Sequence, residues 1–600
     1  MTTLLEKAVF HILFRDKKKK IAHFLRTTTR ESLLSELHIN LVREVVTSIP
    51  PESIFVASSI QDPTHEHPPY WSRKSFQDHL ARTHPDTIIP DTAIDVLWSC
   101  FCFYAYHPFP ISEADDRKVE QPAFERGLLL LSRQGTRLLG TIRDDFGLCW
   151  GRLDEPCTCG LRMNRIFRSI SRVDRRQSRS DPPTDGFDTF VANDMTDAIL
   201  AIFPSHPKLH PSPEQVQPLA ESLLGGRTGQ CAMRAGDFTA LLCLVLRLRV
   251  PQLTRPDREC HRGFLEEPSA DQEELAGVLV RSFRHDQNES LAPEMVLQAL
   301  DILVCFPCHS ADPSADACAD QPNLEQSFHR LWATLFPLSL STERPNLETE
   351  SSAPDTMDAI LRAVSLFIPP FQTHHRSELA RRVQAITFHH CYDRNFQGSA
   401  DSLDLRHILQ QATTHDHPTA RAYLVLFLGD HAHNSDKVVA GAFFRDLTLA
   451  TPPTAKETDD KPPPKKDKSA VVARPQLLFQ LQPQFSLFRW TGGRTSMPLS
   501  SSPEDNSPPG HPAPGHCIGD PDQSRVALEI DADTKQATFL RGTGHAAGTP
   551  SGGYEELTRK HARTESGSGD PHERQTTFTV GRVAVFRVEG GPTYAYENPW

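Results

Sequence analysis

The feature that most constrains this chain is a change in the period of its apolar residues near residue 395. Before that point apolar side chains recur at helical spacing; after it they come in short runs separated by turn residues. Leu34, Leu37, Leu41 and Val45 form one helical stripe, which Pro50 and Pro51 are expected to end because their ring nitrogens carry no hydrogen to donate. Residues 93–106 predict a second helix and 123–139 a third, with Phe124, Leu128 and Leu131 on one face. Leu275, Val278, Leu279 and Phe283 make another stripe. So do Met357, Ile360, Leu361, Val364 and Phe367, with Asp355 as N-cap and Pro369 and Pro370 as the stop. A short helix is expected over 379–386. Beyond 395, runs at 422–428, 438–444, 477–481, 485–488, 526–530 and 578–588 predict strands. Val526, Leu528 and Ile530 alternate with Ala527 and Glu529, and Phe479 and Leu481 with Leu478 and Gln480, so each set predicts one buried face.

The expected class is therefore α+β: a helical amino-terminal domain over 1–175, a helical middle region with linkers over 176–375, and a strand-rich domain over 380–600. Regular structure tolerates proline poorly, and the chain has 49 prolines in 600 residues. Many lie in three insertions, 451–470, 493–514 and 542–576, whose Pro, Gly, Ser and charge predict disorder because they offer little apolar surface to offset ordering entropy. The net charge of −12 has the wrong sign for a protein whose main partner is a phosphate backbone, so nucleic acid is not expected as a partner. The 13 cysteines lack the regular spacing of a disulfide scaffold and fit a reducing compartment. Glu6 and His11 interrupt the first apolar stretch and four lysines follow it at 17–20, the reverse of an export signal. His107, Pro108 and Pro110 break the longest uncharged run, so no transmembrane segment is expected, and Thr2 stands where lipidation would need glycine. The expected location is cytoplasmic.

Few constellations carry chemistry. Cys305, Cys308 and His309 have the CxxCH spacing of covalent haem attachment, and Cys318 extends them to a Cys3His set that would suit zinc, but buried thiols at a helix end satisfy the same pattern. Cys157 and Cys159 are too close for a zinc knuckle. His374 and His375, with His389, His390 and Cys391, bracket the expected helix 379–386 as weaker metal candidates. The lysines at 17–20 read as a solvated helix end, with an import signal or acidic-membrane patch as the alternative. No phosphate-binding GxxxxGK loop, GxSxG elbow, HExxH helix or kinase signature is present, and Asp459 and Asp460 lie in polar sequence that would not tune their acidity. Gly581, Gly590 and Gly591 read as turn or bulge residues. No catalytic residue, resident metal or cofactor is expected.

An ordered series of segments resembles the TLDc domain. Asp393-Arg394-Asn395-Phe396-Gln397-Gly398-Ser399 looks like its opening turn, followed by a helix over 402–411. Residues 422–428 and the Gly441-Ala442-Phe443 step resemble its first hairpin, and Phe479, Leu481 and Pro483 lie in a stretch similar to its most recognisable strand pair. Gly519, residues 526–539 and Phe586 fall in the closing strands. Residues 101–110 and 124–133 resemble the amino-terminal half of the fungal "restriction of telomere capping" members. Where the family closes with Glu-Val-Trp-Gly, this chain has Ala584-Val585-Phe586-Arg587. The resemblance implies a two-sheet domain with flanking helices, and a non-enzymatic role in oxidation resistance through a protein partner, the vacuolar proton pump (V-ATPase), with any membrane association passing through that partner. It marks Gly398, Ser399, Gly441, Ala442, Phe443, Phe479, Leu481, Pro483, Gly519 and Phe586 as fold or partner-surface residues. Two alternatives stay open: a metal-binding or redox enzyme using Cys305 to Cys318, and a degenerate paralogue that keeps the fold without the partner site.

Overall fold

The computed structural model describes residues 4–61, 68–109, 117–139, 142–143, 149–150, 165–173, 189–202, 211, 213–224, 231–249, 263–284, 290–291, 299, 302, 323–337, 356–368, 384–397, 402–413, 422–432, 434, 436–444, 447, 471–473, 475–491, 496–498, 516–520, 525–542, 553–558 and 575–591. The chain divides into two compact units, Met1–Ala276 with Gln287–Asp355, and Gly277–Asp286 with Thr356–Trp600. The class is α+β.

The first unit is helical. Its early helices are α1 (Leu4–Thr27), α2 (Arg30–Glu44), α3 (Pro51–Ser58), α4 (Arg73–Thr83), α5 (Asp91–Tyr106), α6 (Gln121–Leu131) and α7 (Arg133–Leu138). Then come α8 (Thr189–Ile202), α9 (Pro213–Leu224), α10 (Ala235–Arg247), α11 (Ala270–Ser282), of which only Ala270–Ala276 belongs to this unit, and α12 (Asn323–Leu335). α5 is apolar nearly all round and buried along its length, as a helix without a polar stripe must be. Gly127 lets α6 lie close to it, since a Cβ there would sit 3.1 Å from the Ala105 backbone. Around this contact Trp71, Phe76, Phe101, Phe124, Trp332 and Phe336 form one aromatic cluster, with Trp71 and Phe124 at 4.4 Å and the His79 ring stacked on Phe336 at 4.6 Å. Burial pushes the His79 imidazole down to about 4, so it packs there as a neutral ring.

Three expectations for this unit are corrected. α2 stops at Glu44, and Pro51 opens α3, where the missing N–H would have been unpaired in any case. The helix expected over 123–139 is two, because Ser132 leaves helical geometry and its hydroxyl accepts from Gly135 N at 3.1 Å, capping α7. The lysines at 17–20 lie inside α1 and not beyond its end.

The second unit holds α13 (Thr356–Ser365), α14 (Leu405–Thr413) and ten strands of one antiparallel sheet. In chain order these are β1 (Gln384–Asn395), β2 (Tyr423–His431), β3 (Lys437–Phe444), β4 (Leu477–Gln482), β5 (Ser486–Trp490), β6 (His516–Asp520), β7 (Val526–Ile530), β8 (Gln536–Leu540), β9 (Tyr554–Glu556) and β10 (Gln575–Gly591). Their spatial order is β6-β7-β8-β10-β2-β3-β4-β5-β9, and β1 also pairs with β10. The sheet branches at β10, whose first residues pair with β8 and whose last pair with β1. It also curls, because Phe488 on β5 lies 5.9 Å from Phe539 on β8. The expected two sheets are thus one hydrogen-bonded sheet turned over on itself.

Val425, Phe427, Ala440, Ala442, Leu478, Leu528, Phe539, Val583 and Val585 fill the concave core, joined by Leu405, Ile408 and Leu409 of α14. Asp404 starts that helix by accepting from Arg406 N and His407 N at 2.9 and 3.2 Å. Three sequence expectations change here. Residues 384–386 belong to β1, not to a helix, so His389, His390 and Cys391 lie mid-strand, held by the ladder to β10. Asp393, Arg394 and Asn395 complete that strand before any turn begins. Two insertions expected to be disordered contain short strands: Ser496–Pro498 pairs with Val471–Ala473, and β9 pairs with β5. β9 is anchored by the Tyr554 hydroxyl, which donates to Pro475 O at 2.8 Å, and by Glu555, 2.9 Å from Arg489. The insertion 451–470, and residues 493–495, 499–514, 543–552 and 559–574 of the other two, lie outside the described residues.

Candidate functional site

The residues singled out by the resemblance are mostly interior. Gly441, Ala442 and Phe443 lie on β3, Phe479 and Leu481 on β4, Gly519 on β6 and Phe586 on β10. The side chains of Ala442, Phe443, Phe479, Leu481 and Phe586 are all buried. Gly441 is paired in register with Phe479, and a Cβ there would sit 2.5 Å from the Phe479 ring, so its bareness is what admits that ring. On the same face Phe479 meets Phe367 at 5.0 Å, and Phe367 meets Phe485 at 5.1 Å. Pro483 is half-buried in the turn between β4 and β5. Their positions account for packing of the sheet and offer little to solvent. Gly398, Ser399, Cys157, Cys159, Cys305, Cys308, His309, Cys318, His374 and His375 lie outside the described residues.

Gly519 is set by geometry. Its φ of +123° is one that L side chains rarely adopt, and a Cβ would lie 2.5 Å from Val526 O. Gly519→Ala is expected to lower stability by about 1–3 kcal/mol from backbone strain, with the clash adding to it. Urea unfolding followed by tryptophan fluorescence measures this, and a loss under about 0.5 kcal/mol would mean that the β6 backbone takes another conformation.

The convex side of the β1/β10 pair carries the polar group that is open to solvent. Arg582 donates Nε and Nη2 to the two carboxylate oxygens of Asp393 at 2.8 and 2.5 Å, and His390 Nε2 lies 3.5 Å from Asp393 Oδ2. The Arg582 hydrogen bonds hold the Asp393 carboxyl below its usual range. Asp393 faces Ala584 across the ladder. Beside it the Phe586 ring touches His390 at 5.7 Å and Phe388 at 6.4 Å.

A second charged group lies in the first unit. Arg165 donates Nε to Asp194 Oδ1 at 3.2 Å and Nη2 to Asp197 Oδ2, while Arg168 Nη1 reaches Asp194 Oδ2 at 2.6 Å. His107 Nδ1 is 4.0 Å from Asp194 Oδ2, and all five side chains are buried. Burial alone would raise the Asp194 carboxyl, but the Arg168 and Arg165 guanidiniums outweigh it and hold the group below its usual range. Burial drives His107 down to about 3 and keeps its ring neutral. Sequence reading missed this cluster, though Arg165-x-x-Arg168 and Asp194-x-x-Asp197 each place two like charges on one helical face. Sealed from solvent, the cluster fastens residues 165–170 to α8 and presents no group to a substrate.

Three of the described thiols are held protonated by the same physics: burial raises Cys100 far out of the neutral range, Cys102 to about 12 and Cys243 to about 11. Among the described residues no three His, Cys, Asp or Glu side chains are grouped to hold a metal ion, and no helix is long and apolar enough to cross a membrane. No family model matches the chain, and no curated protein matches it.

Proposed function

We propose that this chain is a non-enzymatic interaction protein of the TLDc type, located in the cytoplasm, whose second unit docks on a protein partner. The observation that carries this reading is the placement of the TLDc-like segments. All but the first fall, in chain order, on β2–β3, β4–β5, β6–β8 and β10 of a single sheet, with Gly441 seated against Phe479, whereas the first completes β1 instead of forming a turn. In this reading the sheet is a divergent form of the two-layer TLDc arrangement, its layers made by the fold-over that brings Phe488 to Phe539. The partner that the resemblance implies is the V-ATPase, an analogy of fold and not a reading of a site. The solvent-facing His390, Asp393 and Arg582 make the surface proposed to meet it, since the buried family residues cannot.

Immobilised full-length chain, exposed to purified soluble and membrane sectors of the pump, tests this. Saturable retention of either sector, reduced by Arg582→Glu at unchanged thermal stability, is the expected result. No retention of either sector would overturn the V-ATPase reading and leave the degenerate-paralogue account in its place.

A further inference from the structure

We infer that α1 is a membrane-contact helix, whose lysines at 17–20 lie against the anionic headgroups of a bilayer while its apolar first half enters the interface. Leu4–Thr27 is one continuous helix, so the four lysines stand in its interior, about two turns before its end. A helix terminus would have favoured them through its negative dipole; in mid-helix that help is gone. Arg15, Lys18, Lys19 and Lys20 are all exposed, and like charges three and four positions apart, as Arg15 is from Lys18 and Lys19, weaken a helix. Among residues 11–24 Asp16 is the only carboxylate. A surface of anionic headgroups relieves the repulsion over the whole stretch, with a strength that falls off within a Debye length.

The charge balance holds with the neighbours counted. α1 carries seven Lys and Arg against Glu6 and Asp16, a net +5. α9, which packs on it, brings Glu214 and Glu221 and no cation, while the stretches on either side of α9, 203–212 and 225–230, bring Lys208 and Arg227 and no carboxylate. In a chain of net charge −12 that asymmetry favours α1 as the part presented to an anionic surface. The residues before the lysines select the kind of surface. Seven of the eleven residues 4–14 are Leu, Val, Ile or Phe, interrupted by Glu6, Lys7 and His11. At about 1.5 Å per residue this half is about 16 Å long, against about 30 Å for a hydrocarbon core, so it is suited to lie in the interface and not to span. A nucleic-acid backbone would use the lysines but gain nothing from these apolar residues, whereas a bilayer uses both. The contact needs no protein partner.

Flotation of the purified full-length protein with vesicles, with no pump subunit present, tests this and leaves the partner reading of the second unit to its own experiment. The vesicles are phosphatidylcholine, alone or with about one third phosphatidylserine. Saturable flotation is expected only with phosphatidylserine, weakened about tenfold or more in the triple variant Lys18→Gln, Lys19→Gln, Lys20→Gln. It should be lost when sodium chloride is raised from about 0.1 to about 1 M, which shortens the Debye length from about 10 to about 3 Å. The three side chains are exposed, so the triple variant should keep the parent melting temperature, and the salt series on the parent protein tests the charge contribution without any variant. Phe10→Gln leaves the charge unchanged and should also weaken flotation, which a purely electrostatic contact would not show. No flotation, flotation that needs no phosphatidylserine or ignores salt, binding unaltered in the triple variant or in Phe10→Gln, or tighter binding to duplex DNA than to the vesicles would overturn the inference.

Discussion

Replacing Phe479 by alanine is expected to cost about 3–5 kcal/mol of stability, the range for a phenylalanine removed from a packed core. The ring is fully buried, lies over the bare backbone of Gly441 and touches Phe367 at 5.0 Å. Because Gly441 leaves no side chain to collapse into the space, the cavity should persist. Phe479→Leu keeps part of the volume and should cost less than half as much. Chemical denaturation gives both values, and a loss below about 1 kcal/mol in the alanine variant would place the ring outside the core and require the register of β3 and β4 to be redrawn.

Asp194→Ala is expected to destabilise the first unit by about 3–5 kcal/mol, since it leaves Arg165 and Arg168 buried beside a single remaining carboxylate. The two substitutions lie in separate compact units, so their effects should add. A pH dependence accompanies the second. The folded-state carboxyl is held below its ordinary range, so its contribution is fully present above about pH 4, where the unfolded chain is also ionised. It is lost as pH falls through the depressed folded value. Asp194→Asn should therefore flatten the acid limb of the stability profile as well as lower its plateau. An acid limb identical to that of the parent protein would mean that Asp194 is not ionised in the fold.

The class and most strands of this protein are legible in its sequence, because side chains that alternate along a strand leave a period of two. Val526, Leu528 and Ile530 face the core as their spacing predicts. Where both sides of a strand are covered the same rule reads only half the answer. All of β4 is buried, so Leu478 and Gln480 are interior along with Phe479 and Leu481. Gln480 is accommodated by the Arg541 guanidinium, which donates to it at 3.1 Å from the far side of the curled sheet. β1 was hidden because its residues are partly exposed, and its place depends on a partner about 190 residues away rather than on a stripe of its own. β9 was hidden by the polar composition around it: a single Tyr554, 5.3 Å from Trp490, decides that three residues of a Gly- and Ser-rich stretch join the sheet.

The functional surface was less legible than the fold, for a related reason. Pattern resemblance selects residues that many sequences share, and in this chain those are the ones that let strands approach, such as Gly441 and Gly519, or fill the space between them, such as Phe443 and Phe479. A surface is made instead by residues that the ladder brings together from distant positions. Asp393 and Arg582 meet across the β1/β10 pair, and Arg165 meets Asp194 and Asp197 across helices; neither pairing has a local sequence signature.

Cross-linking mass spectrometry of the full-length chain bound to purified V-ATPase tests the central reading most directly, because it reports both whether the partner is engaged and by which surface. The account predicts cross-links from residues flanking β1 and β10, including Lys535, to a subunit of the pump, lost in Arg582→Glu. Cross-links confined to residues 1–276, or none above those of an unrelated acidic protein, would contradict it.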